Sequence, residues 1–476
     1  MKRILFVGAE AMPFAATGGL GDVIGSLPGA LRESCELDVR VMLPLYRAVG
    51  EEWRARMQRV AECEVMLAWR RQICTVWALN HKNVTFYFLE NAYYFDRDGL
   101  YGHYDDGERF AFFCMAALSV LPQLDFIPDV LHAHDWQAAL TVIYLRSIFC
   151  KNPAFEGIRT AFTIHNIEYQ GRFPHAILGD VFGLGESLRH ELDFDGCLNL
   201  MKGAILFADR VTTVSPRYAT ELCDPAFAHG LDAILRENAH KLCGILNGID
   251  LAYYDPERDA QIAAPYSAAA IDGKRACKEA LQRELGLEKD ADAPLFALVT
   301  RLASHKGLEL VCGMAEELLR EGAQLAVLGC GEARFEDFFR RLCAAHPGQA
   351  AASIGYDRAL SKRVYAGADL FLMPSRSEPC GLAQMIASRY GAIPVVRGVG
   401  GLYDSIKPYR KEGGRVAGNG FVFADYTPEA LLECCRSALS LWRDEGAFHA
   451  LRQRVMRTDF SWENSARRYG AVYEML

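Results

Sequence analysis

Short, nearly unbroken runs of Val, Ile, Leu and Phe recur along this chain with amphipathic stretches between them, and the series restarts past the middle. In the first half the runs fall at residues 4–7, 39–43, 84–89, 130–134, 159–164, 210–214 and 244–246. In the second half they fall at 295–300, 323–329, 351–355, 370–374, 393–397 and 420–423. Strands without polar alternation are buried on both faces, as in a parallel sheet covered by helices. The pattern predicts α/β architecture with two doubly wound, Rossmann-like units. A chain of 476 residues is also too long for one ordinary core. The first unit is expected over 1–247 and the second over 248–458. A hinge is expected near residues 247–250, ahead of a polar, Ala-rich stretch over 250–292. A last segment, 459–476, reads as a helix with Ala466, Tyr469, Val472 and Tyr473 on one face.

Acidic residues outnumber basic ones by 60 to 52, a formal charge of −8. That balance argues against nucleic acid or an anionic membrane as a partner, since both demand a basic surface. No apolar run reaches the length of a membrane span, and Met1-Lys2-Arg3 runs into too short an apolar stretch for a secretory signal. The 15 cysteines include no CxxC pair and do not cluster with His at ligand spacing. They read as free thiols in a reducing cytoplasm, with no metal site.

The first strand is followed by Glu10 and by Pro13-Phe14-Ala15-Ala16-Thr17-Gly18-Gly19-Leu20-Gly21-Asp22, from which a helix begins. Glycines ahead of a helix N-terminus let backbone N–H groups approach an anion, and the helix dipole favours it. Further motifs lie at or just beyond strand ends: His132-Ala133-His134-Asp135-Trp136, His165-Asn166-Ile167-Glu168-Tyr169, and Asn247-Gly248-Ile249-Asp250. Open α/β sheets build their ligand crevice at such ends. His132 and His134 are read as alternating on their strand, which sets one of them against the core.

In the second half, Arg301 and Lys306 share one loop ahead of an apolar helix, two cations able to face an anionic ligand. Ser377-Glu378-Pro379-Cys380-Gly381-Leu382-Ala383 follows another strand, with Pro379 and Gly381 fixing a turn before a helix. Gly329-Cys330-Gly331, Gly355-Tyr356 and Arg397-Gly398-Val399-Gly400-Gly401 complete the set.

Together these motifs resemble those of bacterial glycogen and starch synthases over nearly the whole chain. The resemblance implies a GT-B-type fold, two Rossmann-like domains facing across a cleft, with the helix at 459–476 returning to the first domain. It implies a retaining glucosyltransferase that moves glucose from ADP-glucose to the non-reducing end of an α-1,4-glucan, without cofactor or metal. Glu378, Arg301, Lys306 and His165 take the catalytic positions. Gly18, Gly19, Asp22, Asn247, Gly329, Tyr356, Cys380, Gly381, Leu382, Gly400 and Gly401 match donor-binding positions, and Glu10 and Asp135 lie on the acceptor side. Tyr356 is expected to stack on the base, and His165 to lie beside the transferred glucose.

Three positions depart from the family pattern. Ala16 stands where a phosphate-contacting Lys is usual, and Ala383 and Val399 where Thr is usual. They keep two alternatives open: a non-catalytic, synthase-like paralogue that binds glucan or nucleotide, and the same chemistry with another donor such as UDP-glucose. A glycoside hydrolase fits less well, because it needs two carboxylates flanking the bond and one is strongly placed here.

Overall fold

Thirteen of the described strands pair in parallel and coincide with the apolar runs, and the central ones among them are buried on both faces. The computed structural model describes residues 1–355, 357–412 and 415–476. The chain divides into two units, Met1–Gly248 with Trp462–Leu476, and Ile249–Ser461. Strands of the first unit are β1 (Arg3–Val7), β2 (Asp38–Pro44), β3 (Gln58–Leu67), β4 (Arg70–His81), β5 (Val84–Glu90), β6 (Val130–His134), β7 (Arg159–Ile164), β8 (Arg172–Phe173), β9 (Asp193–Phe194), β10 (Cys197–Asn199), β11 (Arg210–Thr213) and β12 (Leu242–Gly244). Those of the second are β13 (Leu295–Val299), β14 (Gln324–Gly329), β15 (Ala350–Ile354), β16 (Leu370–Met373), β17 (Ile393–Arg397), β18 (Arg410–Glu412), β19 (Arg415–Ala417) and β20 (Phe421–Phe423).

The first unit is built on a nine-stranded sheet in the order β12-β11-β7-β6-β1-β2-β5-β4-β3. Seven of these strands pair in parallel, while β4 and β3 add an antiparallel edge. That hairpin has no counterpart in the sequence reading. In β3 the buried Cys63, Val65 and Leu67 alternate with exposed Glu62, Glu64 and Met66. One face of the pair meets solvent, so its apolar signal has period two and no continuous run. Strands β8, β9 and β10 form a separate small antiparallel sheet.

The helix Trp462–Glu474 belongs to this first unit. It packs along the helix Gly19–Cys35, and buries Trp462, Ala466, Tyr469, Val472 and Tyr473. Ser465 Oγ donates to the Leu246 carbonyl at 2.5 Å, and Cys35 Sγ to the Ala466 carbonyl at 3.4 Å. The apolar stripe read from the sequence is thus the face that closes the sheet's flank.

The second unit holds a six-stranded parallel sheet in the order β15-β14-β13-β16-β17-β20. Phe296, Leu298, Val311, Leu325, Leu370, Val395 and Leu451 lie in its core. In both units the chain starts in the middle of the sheet, works to one edge, then returns and fills the other side. The order reverses between β1 and β6 in the first unit and between β13 and β16 in the second. Loops leaving the C-terminal ends of those strand pairs diverge, which opens a crevice at each reversal. Among the described residues no helix is long and apolar enough to cross a membrane, and all fifteen cysteines are free.

Candidate active site

In the first unit, the loop after β1 is organised by one buried carboxylate. Thr17 N–H donates to Glu10 Oε2 at 2.6 Å, and Gly18 N–H to the same oxygen at 3.2 Å. The Thr17 hydroxyl and the Tyr101 hydroxyl each donate to Glu10 Oε1 at 2.7 Å. Four donors hold this carboxylate in place, and it in turn sets the loop ahead of the helix Gly19–Cys35. The Gly18 N–H is therefore already engaged. Gly19 and Leu20, in the first helical turn, have no intrahelical acceptor for their amides. Gly18 and Gly19 are exposed, Asp22 lies in the first turn, and Ala16 sits exposed on the loop. A Cβ on Gly21 would come within 2.4 Å of the Ala16 Cβ, so the third glycine admits the loop against the helix.

The loop after β6 begins with Asp135 at φ +56°, a left-handed conformation that Asp tolerates better than most residues. Asp135 Oδ1 accepts the His165 backbone N–H at 2.7 Å, which joins the ends of β6 and β7. Burial pushes the Asp135 carboxyl up to about 7, against hydrogen bonds from the His165 and Asn166 amides that favour its charge, and the Glu10 carboxylate adds to the rise. Asn247 is buried as well.

Both His132 and His134 are wholly buried, which corrects the reading that put only one against the core. Positions two apart on a strand share a face. His132 Nδ1 meets the Tyr473 hydroxyl at 2.7 Å and Nε2 meets Thr163 Oγ1 at 2.6 Å. His134 Nδ1 lies 3.0 Å from His165 Nε2. Burial draws His132 and His165 down to about 3 and His134 well below the ordinary range, so all three rings are neutral at pH 7.

In the second unit the reversal point carries the charged groups. Lys306 Nζ contacts both oxygens of Glu378, at 3.0 and 2.8 Å, and Ser375 Oγ donates to Oε2 at 2.9 Å. Glu378 is buried and Lys306 half-buried. Arg301 is exposed, and its guanidinium has no hydrogen-bond or ion-pair partner among the described residues. One cation is thus held against the carboxylate and another is left available.

Glycines lock these loops together. A Cβ on Gly307 would meet the Pro374 carbonyl oxygen at 2.0 Å, and one on Gly401 the Cys380 carbonyl oxygen at 2.1 Å. One on Gly329 would meet the Thr300 carbonyl oxygen at 1.9 Å. Gly401 N–H also donates to the Glu378 carbonyl at 3.0 Å. Gly381 and Gly400 take positive φ, +70° and +44°. Cys380 and Val399 are buried, while Leu382 and Ala383 are half-buried at the start of the helix Ala383–Arg389. Within the second unit, then, Arg301, Lys306, Glu378, Gly329, Cys380, Gly381, Leu382, Gly400 and Gly401 lie at or just beyond the C-terminal ends of adjoining strands. Within the first, Glu10, Gly18, Gly19, Asp22, Asp135 and His165 do the same. Tyr356 lies outside the described residues. The sequence reading did not single out Tyr101, Thr17 or Ser375. Only the Ser375–Glu378 spacing within one loop hinted at such support.

Two Rossmann-order α/β units, with the paired Lys306 and Glu378 at a strand-order reversal, define a two-domain glycosyltransferase of GT-B type. The family model for the starch synthase catalytic domain matches residues 3–237, and that for glycosyl transferases group 1 matches residues 283–454. Glycogen synthase from Geobacillus thermodenitrificans is 46% identical over 477 residues, covering 100% of this chain and 98% of the relative. Glycogen synthase from Ligilactobacillus salivarius is 43% identical, covering 100% of both. Among solved structures, the catalytic domain of starch synthase IV from Arabidopsis thaliana, bound to ADP and acarbose, superposes with a TM-score of 0.92 at 32% identity, covering 100% of this chain and 99% of that one. Sucrose-phosphate synthase from Thermosynechococcus elongatus shares the fold at TM-score 0.60 and 15% identity, covering 100% of this chain and 99% of that one. The chain belongs to the glycogen and starch synthase family, and it is a hexosyltransferase.

Proposed function

We propose that the protein transfers glucose from ADP-glucose to the non-reducing end of an α-1,4-glucan with retention of configuration, in the cytoplasm. The observation that carries this is the pairing of Lys306 with the buried Glu378 carboxylate, in one unit with the unpartnered Arg301. Breaking the bond between anomeric carbon and phosphate puts negative charge on the leaving diphosphate. Arg301 and Lys306 stabilise that charge as it develops. Glu378 holds sugar hydroxyls and offsets positive charge at the anomeric carbon. The acceptor 4-hydroxyl attacks from the face the diphosphate leaves, and a departing phosphate oxygen takes its proton. This route needs no separate general base. His165 donates to a hydroxyl of the transferred glucose. The Gly19 and Leu20 amides, Asp22, Asn247, and the loops of Gly329, Cys380, Gly381, Leu382, Gly400 and Gly401 receive the nucleotide and its phosphates. ADP in the Arabidopsis starch synthase structure supports adenine as the base, and acarbose there supports a glucan acceptor. An odd number of cysteines, all free, fits a reducing compartment.

The test is incorporation of labelled glucose into glycogen from ADP-glucose and, separately, UDP-glucose. Expected is incorporation from ADP-glucose, at least about tenfold faster than from UDP-glucose, a difference of about 1.4 kcal/mol. The reverse preference overturns the donor assignment. Incorporation from neither donor, by protein shown to be folded, overturns the activity.

A further inference from the structure

We infer that His134 is a positioning residue that fixes His165 in the tautomer with its proton on Nδ1, leaving that N–H as the donor His165 presents to its ligand. This rests on the reading of His165 as a sugar contact, but its structural half does not.

Two neutral imidazoles 3.0 Å apart at Nδ1 and Nε2 share one hydrogen between those atoms. Either His134 Nδ1–H donates to His165 Nε2, or the reverse. The choice is decided by the other nitrogen of His134. Its Nε2 is buried and has no hydrogen-bond partner among the described residues. If His165 donated, His134 would carry its own proton on Nε2, a buried N–H without an acceptor. If His134 donates, Nε2 is a bare acceptor. Orphaned buried N–H groups are rarer than under-used acceptors, so the second arrangement is favoured. His165 Nε2 is then the acceptor, and its proton sits on Nδ1.

His134 cannot readily turn to escape this role. Its ring lies against His132, centroids 4.1 Å apart, and against Phe6 at 4.8 Å. His132 is pinned at both nitrogens by Tyr473 and Thr163. His165 is held from its backbone by Asp135. Its Nδ1 has no protein partner among the described residues. Low proton affinity from burial keeps both rings neutral across the working range, so the tautomer is stable to pH.

The experiment uses the full-length protein labelled with ¹⁵N-histidine. Long-range ¹H–¹⁵N spectra report which ring nitrogen carries the proton, and His165→Asn identifies the His165 signals by their loss. Expected in the wild type is His165 protonated at Nδ1 only. In His134→Leu the His165 signals should move toward the Nε2–H form or a mixture. In His134→Asn, whose amide reaches the position of Nδ1, the wild-type tautomer should persist. With donor in excess, His134→Leu should lower kcat about tenfold or more with the donor KM changed less than about threefold, and His134→Asn should recover most of it. A wild-type His165 protonated at Nε2, or an unchanged tautomer in folded His134→Leu, overturns the inference. If His134→Leu does not fold, the wild-type spectrum alone decides. Absence of any transferase activity would strike the proposed function and leave the tautomer result standing.

Discussion

Lys306 and Arg301 lie five residues apart in one loop, yet removing them should have different consequences. Lys306→Ala leaves the Glu378 carboxylate buried with Ser375 as its remaining side-chain partner. Stranding a buried charge is costly, and a loss of about 2–4 kcal/mol in stability is expected. Arg301→Ala removes an exposed side chain without a partner, so stability should change by no more than about 0.5 kcal/mol. Both should lower turnover by about 30- to 1,000-fold if each stabilises the leaving diphosphate. Thermal melts beside initial rates separate the two effects, and an Arg301→Ala enzyme of normal turnover would remove Arg301 from the mechanism. Asp135 gives a pH test. Its folded carboxyl titrates at about 7, above the unfolded value of about 3.9. A raised carboxyl contributes stability below the unfolded value, and that stability is lost as pH rises through 7. Asp135→Asn stays neutral and keeps an oxygen for the His165 amide. It should melt like wild type near pH 4 and be more stable by about 1–2 kcal/mol at pH 8, a discounted figure because the side chain retains some solvent. A gap that shrank with rising pH would contradict the assigned shift. Ala16 is exposed on the loop ahead of the helix Gly19–Cys35, so Lys can be placed there without core strain. Ala16→Lys should raise donor affinity or turnover about ten- to a hundredfold, the scale of a charge-assisted hydrogen bond. No gain in an active enzyme would mean that the phosphates do not approach residue 16.

Element by element, the sequence disclosed strands buried on both faces and concealed strands wetted on one. Runs such as Leu295–Val299 and Leu370–Met373 need no alternation, and they stand out against the amphipathic helices. The β3–β4 hairpin mixes Glu62, Glu64 and Arg71 with its apolar residues, and its period-two signal is short. Site motifs were legible because glycines and charges cluster where strands end. Their supporting contacts were not, since Tyr101 reaches Glu10 from 91 positions away and Tyr473 reaches His132 from 341. No local spacing encodes such pairs. Glycines also divide by element in a way the sequence leaves unmarked. Gly307 has φ +70° and a carbonyl oxygen 2.0 Å from where its Cβ would be, and Gly401 has one at 2.1 Å. Gly18 is extended, with nothing within 4 Å. Ala at 307 or 401 should therefore cost about 2–4 kcal/mol by forcing the loops apart. Gly18→Ala should cost less than about 0.5 kcal/mol, and any fall in its activity must then come from crowding of the ligand. Equal melting losses at all three positions would refute the interlocked-loop account.

The chain crosses between its two units twice, at Gly248–Ile249 and at Ser461–Trp462. Ile249 and Ser461 pair as an isolated parallel bridge, with Ile249 N–H donating to the Phe460 carbonyl at 2.8 Å, so the crossings lie side by side on the second unit. The consequence is that the last fifteen residues complete a unit begun at the other end of the sequence. Trp462, Tyr469, Val472 and Tyr473 are buried there, and Tyr473 holds His132 at the centre of the sheet. Each large apolar side chain taken out of water contributes about 1.5–3 kcal/mol, so four of them are comparable to the whole stability of a typical domain, about 5–15 kcal/mol. Ending the chain after Ser461 should accordingly unfold or severely loosen the first unit while leaving the core of the second intact. Calorimetry and limited proteolysis should show a surviving fragment that begins near Ile249, and loss of protection throughout residues 1–248. Tyr473→Phe is the gentler companion: it keeps the ring and removes the hydroxyl from His132, and should cost about 0.5–1.5 kcal/mol, the net contribution of one hydrogen bond. A truncated protein that retained a protected first unit would show that its sheet and the helix Gly19–Cys35 suffice without the returning helix.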